Sequence, residues 1–100
     1  MRNLNVQNLD TNLKYVYSEN NALSIIFNNN DMLSCVLGEF NNNLKELEKL
    51  TNTNIYSRGN SILIKSDAQN NEIIKDAIKF LCEQYLINKT IEKKDIISSL

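Results

Sequence analysis

The sequence predicts one small α+β domain: a three-stranded sheet with helices packed on one face and a short helix at the end. Three observations predict it. Ile55-Tyr56-Ser57-Arg58 and Ser61-Ile62-Leu63-Ile64-Lys65 flank a Gly59-Asn60 pair. Two β-rich runs around such a pair signal a hairpin, because Gly reaches the positive φ of tight two-residue turns. Ile73, Ile74, Ala77, Ile78, Leu81 and Tyr85, with Phe80 beside them, follow a helical period. Ahead of both, an apolar strand candidate leads into two short helical patterns separated by Gly38. The resulting order, β-α-α-β-β-α, sets three strands in one layer against helices in another.

Bulk composition narrows the function. One hundred residues make one domain with a single core. The 42% hydrophobic share is that of a folded chain. With 11 basic and 12 acidic residues the net charge is −1, without the basic excess of a strongly electrostatic nucleic-acid or membrane binder. No apolar run nears the ~20 residues of a membrane span. Met1-Arg2-Asn3-Leu4-Asn5 lacks an apolar signal core, so a cytoplasmic location is expected. Eighteen Asn and no Pro, Trp or His fit an AT-rich coding background, which lowers the weight of any single Asn. Without His there is no Cys–His pair. Cys35 and Cys82 fall short of a four-ligand metal site and read as buried free thiols.

In chain order, residues 1–20 form a polar N-terminal extension. Leu4, Val6, Leu9 and Leu13 are scattered through it, and a mobile end is expected. Within it Lys14-Tyr15-Val16-Tyr17-Ser18 alternates and favours an extra strand. After a turn at Glu19-Asn20-Asn21, Ala22-Leu23-Ser24-Ile25-Ile26-Phe27 reads as a central strand. Whether the two pair as a hairpin is left open. The domain proper is expected over 21–100.

Asn28-Asn29-Asn30-Asp31 supplies N-caps for a short helix with Met32, Leu33, Cys35, Val36 and Leu37. Gly38 ends it. Asn41 or Asn42 is expected to cap a second helix, with Leu44, Leu47 and Leu50 inward and Lys45, Glu46, Glu48 and Lys49 solvated. After the hairpin, Ser66 and Gln69 have capping-box spacing for a long helix reaching about residue 87. Asn88-Lys89 stops it. Thr90 is expected to cap a last helix with Ile96, Ile97 and Leu100.

The stretch that carries function is Leu37-Gly38-Glu39-Phe40-Asn41-Asn42-Asn43-Leu44. A tight loop opening on a helix N-terminus can hold a phosphate or carboxylate, and can equally be plain helix capping. A βααβ unit with Gly between its helices is the arrangement of a KH domain, whose GXXG loop clamps about four nucleotides. On that reading Gly38, Glu39, Phe40 and Asn41 take the loop position. Lys45 and Lys49, one turn apart, and Arg58 in the hairpin supply charge, and Phe40 can stack on a base. Asn41 stands where the second Gly would be, and Glu39 is negative.

These residues, continuing through Ile55-Tyr56-Ser57-Arg58-Gly59-Asn60 and the following strand, resemble the N-terminal KH-like region of PhoH-like (phosphate starvation-inducible) ATPases. The family pattern is Gly-x-Phe-[Asp/Asn]-x-Asn-[Leu/Ile], an acidic helix, a strand, Arg-[Gly/Asp]-Asn, a strand and a long helix. Gly38, Phe40, Asn41, Asn43, Leu44, Arg58, Gly59 and Asn60 match it, and the likeness spans about residues 22–100. PhoH-like proteins carry a P-loop ATPase domain after this region and are linked to RNA metabolism. The resemblance therefore implies an RNA-binding accessory domain whose ATPase domain is absent from this chain. ATP and Mg belong only to that missing domain, since no G-x-x-x-x-G-K-[S/T] occurs here. The expected partners are single-stranded RNA, the missing ATPase domain and a possible second copy of the chain, with no membrane. The expected chain is not itself an enzyme and carries no cofactor, catalytic residue or metal ligand. The alternative is a protein-interaction or oligomerisation module of the same fold that binds no nucleic acid.

Overall fold

A computed structural model of the protein describes residues 12–100. The expectation of a mobile end concerns residues that, apart from Asn12, lie outside this range. Nine elements follow: β1 (Leu13–Tyr17), β2 (Ala22–Phe27), α1 (Asn30–Leu37), a short turn over Glu39–Asn41, α2 (Asn42–Thr51), β3 (Asn54–Arg58), β4 (Ser61–Lys65), α3 (Ala68–Asn88) and α4 (Lys93–Ser98).

The sheet has four strands, not three, in the order β1-β2-β4-β3, every pair antiparallel. The added strand is β1, which pairs with β2 from Leu13↔Phe27 to Tyr17↔Leu23. A four-residue connection, Ser18-Glu19-Asn20-Asn21, makes this possible. Ser18 N–H donates to the Ala22 carbonyl at 2.8 Å, and Asn21 takes a left-handed φ of 58°. At the other hairpin Arg58 pairs with Ser61, so Gly59-Asn60 is a two-residue turn with φ 58° at Gly59.

Alternation along the strands separates two faces. Leu23, Ile25, Phe27, Ile55, Ile62 and Ile64 point one way and are buried with Met32, Val36, Leu44, Leu47, Ile74, Ile78, Leu81 and Ile96 from the helices. Tyr15 packs at the border of this core. Each fully buried Leu or Ile contributes about 1.5–3 kcal/mol, so this face holds the fold together. On the opposite face the register aligns Val16, Ser24, Leu63 and Tyr56 in one cross-strand row and Lys14, Ile26, Ser61 and Arg58 in the next.

Several local expectations shift by a residue or two. Asn29 caps α1, its Oδ1 accepting from Met32 N–H at 3.0 Å. For α3 the cap is Asp67 rather than a Ser66/Gln69 box. Its Oδ1 accepts from Asn70 N–H at 2.8 Å, and a carboxylate suits the positive end of a helix better than a hydroxyl. Thr90 lies too far ahead to cap α4. Glu92 does so, in a reciprocal box with Asp95, whose Oδ2 accepts from Glu92 N–H at 2.8 Å. Leu100 falls beyond that helix.

On α3, Ile73 is exposed and Asn71 takes an inward position instead. Asn71 Nδ2 donates to the Asn21 carbonyl at 2.7 Å, so it anchors the β1–β2 turn while its Oδ1 finds no protein partner. Leu50 is also exposed. Glu48, expected in solvent, is partly buried, and its Oε2 accepts from Ile55 N–H at 2.8 Å on the edge strand β3. An outward N–H of an edge strand is thereby occupied.

Candidate nucleic-acid interface

Gly38 closes α1: its N–H donates to the Ser34 carbonyl at 3.0 Å. Its backbone, φ 77° and ψ 171°, lies in a region open essentially to Gly alone. A Cβ built there would meet Asn43 Cγ at 2.6 Å and Nδ2 at 2.7 Å. Asn43 in turn donates from Nδ2 to the Cys35 carbonyl at 3.1 Å. The glycine therefore lets a side chain of α2 lie over the end of α1 and satisfy one of its open carbonyls. Asn43 covers the side of Gly38 on which a Cβ would sit.

Beyond Gly38 the chain turns twice to the left. Phe40 (φ 56°, ψ 29°) and Asn41 (φ 59°, ψ 27°) are both left-handed, and Asn42 N–H donates to the Glu39 carbonyl. This is the geometry of a type I′ turn, which favours Asn and Gly at its two central positions. Asn41 suits it and Phe40 does not. Strained backbone of this kind costs roughly 1–3 kcal/mol at a bulky residue. The ring recovers nothing by burial, since Phe40 is 81% exposed. Asn41 sits before α2 but makes no side-chain cap bond, and Asn42 is already helical. The left-handed backbone at Asn41 replaces the extended conformation that side-chain capping needs.

Past this turn, Asn42, Asn43, Lys45, Glu46 and Lys49 of α2 meet Lys93 and Ile96 of α4 around an open groove of about 430 Å³. Three cations face one carboxylate there. The ion pairs among the described residues are Lys75–Glu72 and Lys94–Glu92, so none of these three lysines is paired. Gly38 and Glu39 border a neighbouring depression with Cys35, Lys89 and Thr90, and Asn43 lines both.

The structure thus brings Lys45 and Lys49 together, with Gly38 and Glu39 one depression away. Arg58 does not join them. It lies on the face of the sheet turned away from α1–α4, in a concavity of about 320 Å³ with Tyr56, Leu63 and Lys65. Nothing in the sequence around Lys93 marks it as a site residue. Its only local signal is its place at the start of a short helix, and its neighbours are set by how α4 docks on α2.

Other reactive groups are quiet. Burial, with Glu83 adding to it, pushes the Cys82 thiol up to about 12, so it stays protonated at neutral pH. Cys35, expected to be buried, is partly exposed, with Sγ 4.0 Å from the Lys89 carbonyl. Among the described residues no group of three or more His, Cys, Asp or Glu could hold a metal ion. None of their helices is long and apolar enough to cross a membrane.

Comparison with protein-family models, with curated proteins and with solved structures found no match to this chain.

Proposed function

We propose that the chain is a KH-like module that holds single-stranded RNA at the Gly38–Asn41 loop and along the Lys45–Lys49–Lys93 groove, as an accessory to a PhoH-type ATPase domain. The observation that carries this is the groove itself. Three lysines without ion-pair partners, Lys45 and Lys49 of α2 and Lys93 of α4, line it together with Asn42 and Asn43 of the first turn of α2, where open backbone N–H groups and the helix dipole also favour a phosphate. Phe40 supports the reading: an exposed ring kept on strained backbone two residues before Asn42 of the groove is available to stack on a base. Strand order supports the KH-like part, because β2, α1, α2, β3, β4 and α3 follow one another with β4 between β2 and β3. The PhoH part rests on Gly38, Phe40, Asn43 and the Arg58-Gly59-Asn60 turn. ATP and Mg would be handled by the partner domain.

Titration of labelled single-stranded RNA by fluorescence anisotropy, at low and moderate salt, tests the proposal. Weak binding is expected, falling with salt at a slope of roughly −2 for three phosphate contacts on a single strand. Lys45→Ala/Lys49→Ala should weaken it and flatten the slope. No binding at low salt and high protein concentration would sink the proposal.

A protein-interaction or oligomerisation role is the second reading. Ile73 and Ile87 on α3, together with Ile97 and Leu100, are exposed apolar side chains that the first reading does not use.

A further inference from the structure

The face of the sheet turned away from the helices has a chemistry of its own. None of the four strands contains an Asp or Glu. The ionisable side chains that alternation sends to this face, apart from the Tyr56 phenol, are Lys14, Arg58 and Lys65, all exposed and none in an ion pair. In a chain of net charge −1 this is a local cationic surface. Tyr56 lies among them, 47% exposed, directly across from the half-buried Leu63. Lys14 and Arg58 end the same cross-strand row, about 14 Å apart by three strand spacings. Tyr56, Arg58, Leu63 and Lys65 border the concavity described above.

We infer that this sheet face is a second binding surface for single-stranded nucleic acid, with Tyr56 stacking on a base and Lys14, Arg58 and Lys65 holding phosphates. Charge complementarity selects the occupant. A protein partner with an apolar docking face would find rows broken by Ser24, Ser61 and three cations. A polyanion with flat, stackable rings matches both halves of the pattern. The surface shares a ligand class with the loop and lysine groove but none of their residues, so the two can fail separately.

The test uses the whole chain, labelled oligouridylate and oligo-dT as probes, and amide chemical-shift mapping alongside anisotropy. Tyr56→Ala should weaken binding at least about fivefold while Tyr56→Phe stays within about twofold, because stacking needs the ring and not the hydroxyl. Arg58→Gln/Lys65→Gln should flatten the salt slope by about 1.4. Bound-state shifts should appear in β3 and β4. Unchanged affinity in a folded Tyr56→Ala protein would overturn the inference, as would shifts confined to the α2–α4 groove. Displacement of the probe by polyglutamate more readily than by unlabelled oligouridylate would also overturn it. Loss of binding only in Lys45→Gln/Lys49→Gln would leave the groove proposal standing and remove this one; loss only in the sheet variants would do the reverse.

Discussion

The chain has two glycines, and both sit in turns at positive φ: Gly38 at 77° and Gly59 at 58°. Their surroundings differ completely. Asn43 lies against Gly38, whereas nothing comes within 4 Å of where a Cβ on Gly59 would be. Gly38 is constrained twice, by its dihedral angles and by a close approach between helices. Gly59 is constrained once, by the hairpin turn. A glycine in a sequence signals backbone freedom in either case. Only the folded chain distinguishes a junction clamped by tertiary contact from a turn that stands free.

That difference can be broken by mutation. Gly38→Ala should cost about 2–4 kcal/mol, combining backbone strain with displacement of Asn43. Gly59→Ala should cost about 1 kcal/mol, and Gly59→Asn less, because Asn tolerates left-handed backbone and the space is open. Urea denaturation of the three variants checks the ranking; equal losses at the two glycines would erase the distinction.

Phe40→Gly sharpens the comparison from the other side of the same junction. Removing a bulky residue from φ 56°, with little burial to lose, should stabilise the fold by up to about 1 kcal/mol. RNA affinity should fall by at least about fivefold if the ring stacks. Gained stability with lost binding would mark the strain as functional. Gained stability with unchanged binding would mark it as incidental.

A third turn, at Asn21, reaches φ 58° with no glycine at all and is held from α3 instead. Beside it Tyr17 Oη donates to Glu72 Oε2 at 3.0 Å, Lys75 pairs with Glu72 at 3.0 Å, and the Lys75 ammonium lies 5.4 Å from the centre of the Tyr15 ring. Hydrogen bonds from Lys75 and then Tyr17 hold the Glu72 carboxyl below its ordinary value. The hydrogen bond to Glu72 raises Lys75 above its own. The Glu72 contribution is therefore present above the ordinary carboxylate pKa and is lost as pH falls through the lowered one. The Lys75 contribution is present below the ordinary lysine pKa and is lost as pH rises through the raised one. Glu72 is half exposed, so Glu72→Gln should cost no more than about 1 kcal/mol at neutral pH. The loss should be smaller in acid, as thermal melts at pH 7 and pH 3 would show. An equal loss at both would assign Glu72 a packing role instead.

What could be read from the chain was what is decided locally. The Gly59-Asn60 hairpin, the stop at Gly38, the stop at Lys89 and, Ile73 excepted, the inward Ile and Leu positions of α3 all follow from neighbours within a few residues. Features decided at a distance were harder. The alternation in Lys14-Tyr15-Val16-Tyr17 suggested a strand, but its place in the sheet depends on β2 and on the Tyr17–Glu72–Lys75 contacts across more than fifty residues. Glu48 looked like one more solvent-facing charge because its partner, the Ile55 N–H, exists only once β3 has become an edge. Asn41 looked like a helix cap because Asn so often is one. The left-handed φ of 59° there rules out the extended backbone that side-chain capping needs, and the letter Asn does not reveal it. In the candidate site, Lys45 and Lys49 share a helix face that spacing reveals, whereas Lys93 joins them and Arg58 leaves them through tertiary docking alone.

The order β1-β2-β4-β3 has a consequence for how the sheet assembles. Each outer pair is a hairpin whose strands are joined by two to four residues, so both can form from nearby chain at little cost in closure entropy. The central β2–β4 pairing is the only one that must wait for a long intervening segment, the one that carries α1, α2 and β3. Non-local pairings of this kind set the speed of folding. The Gly38–Asn43 junction lies inside that segment, where Asn43 of α2 bonds the Cys35 carbonyl at the end of α1. It therefore bears on the rate at which two ready-made hairpins become one sheet, as well as on the stability of the sheet once formed.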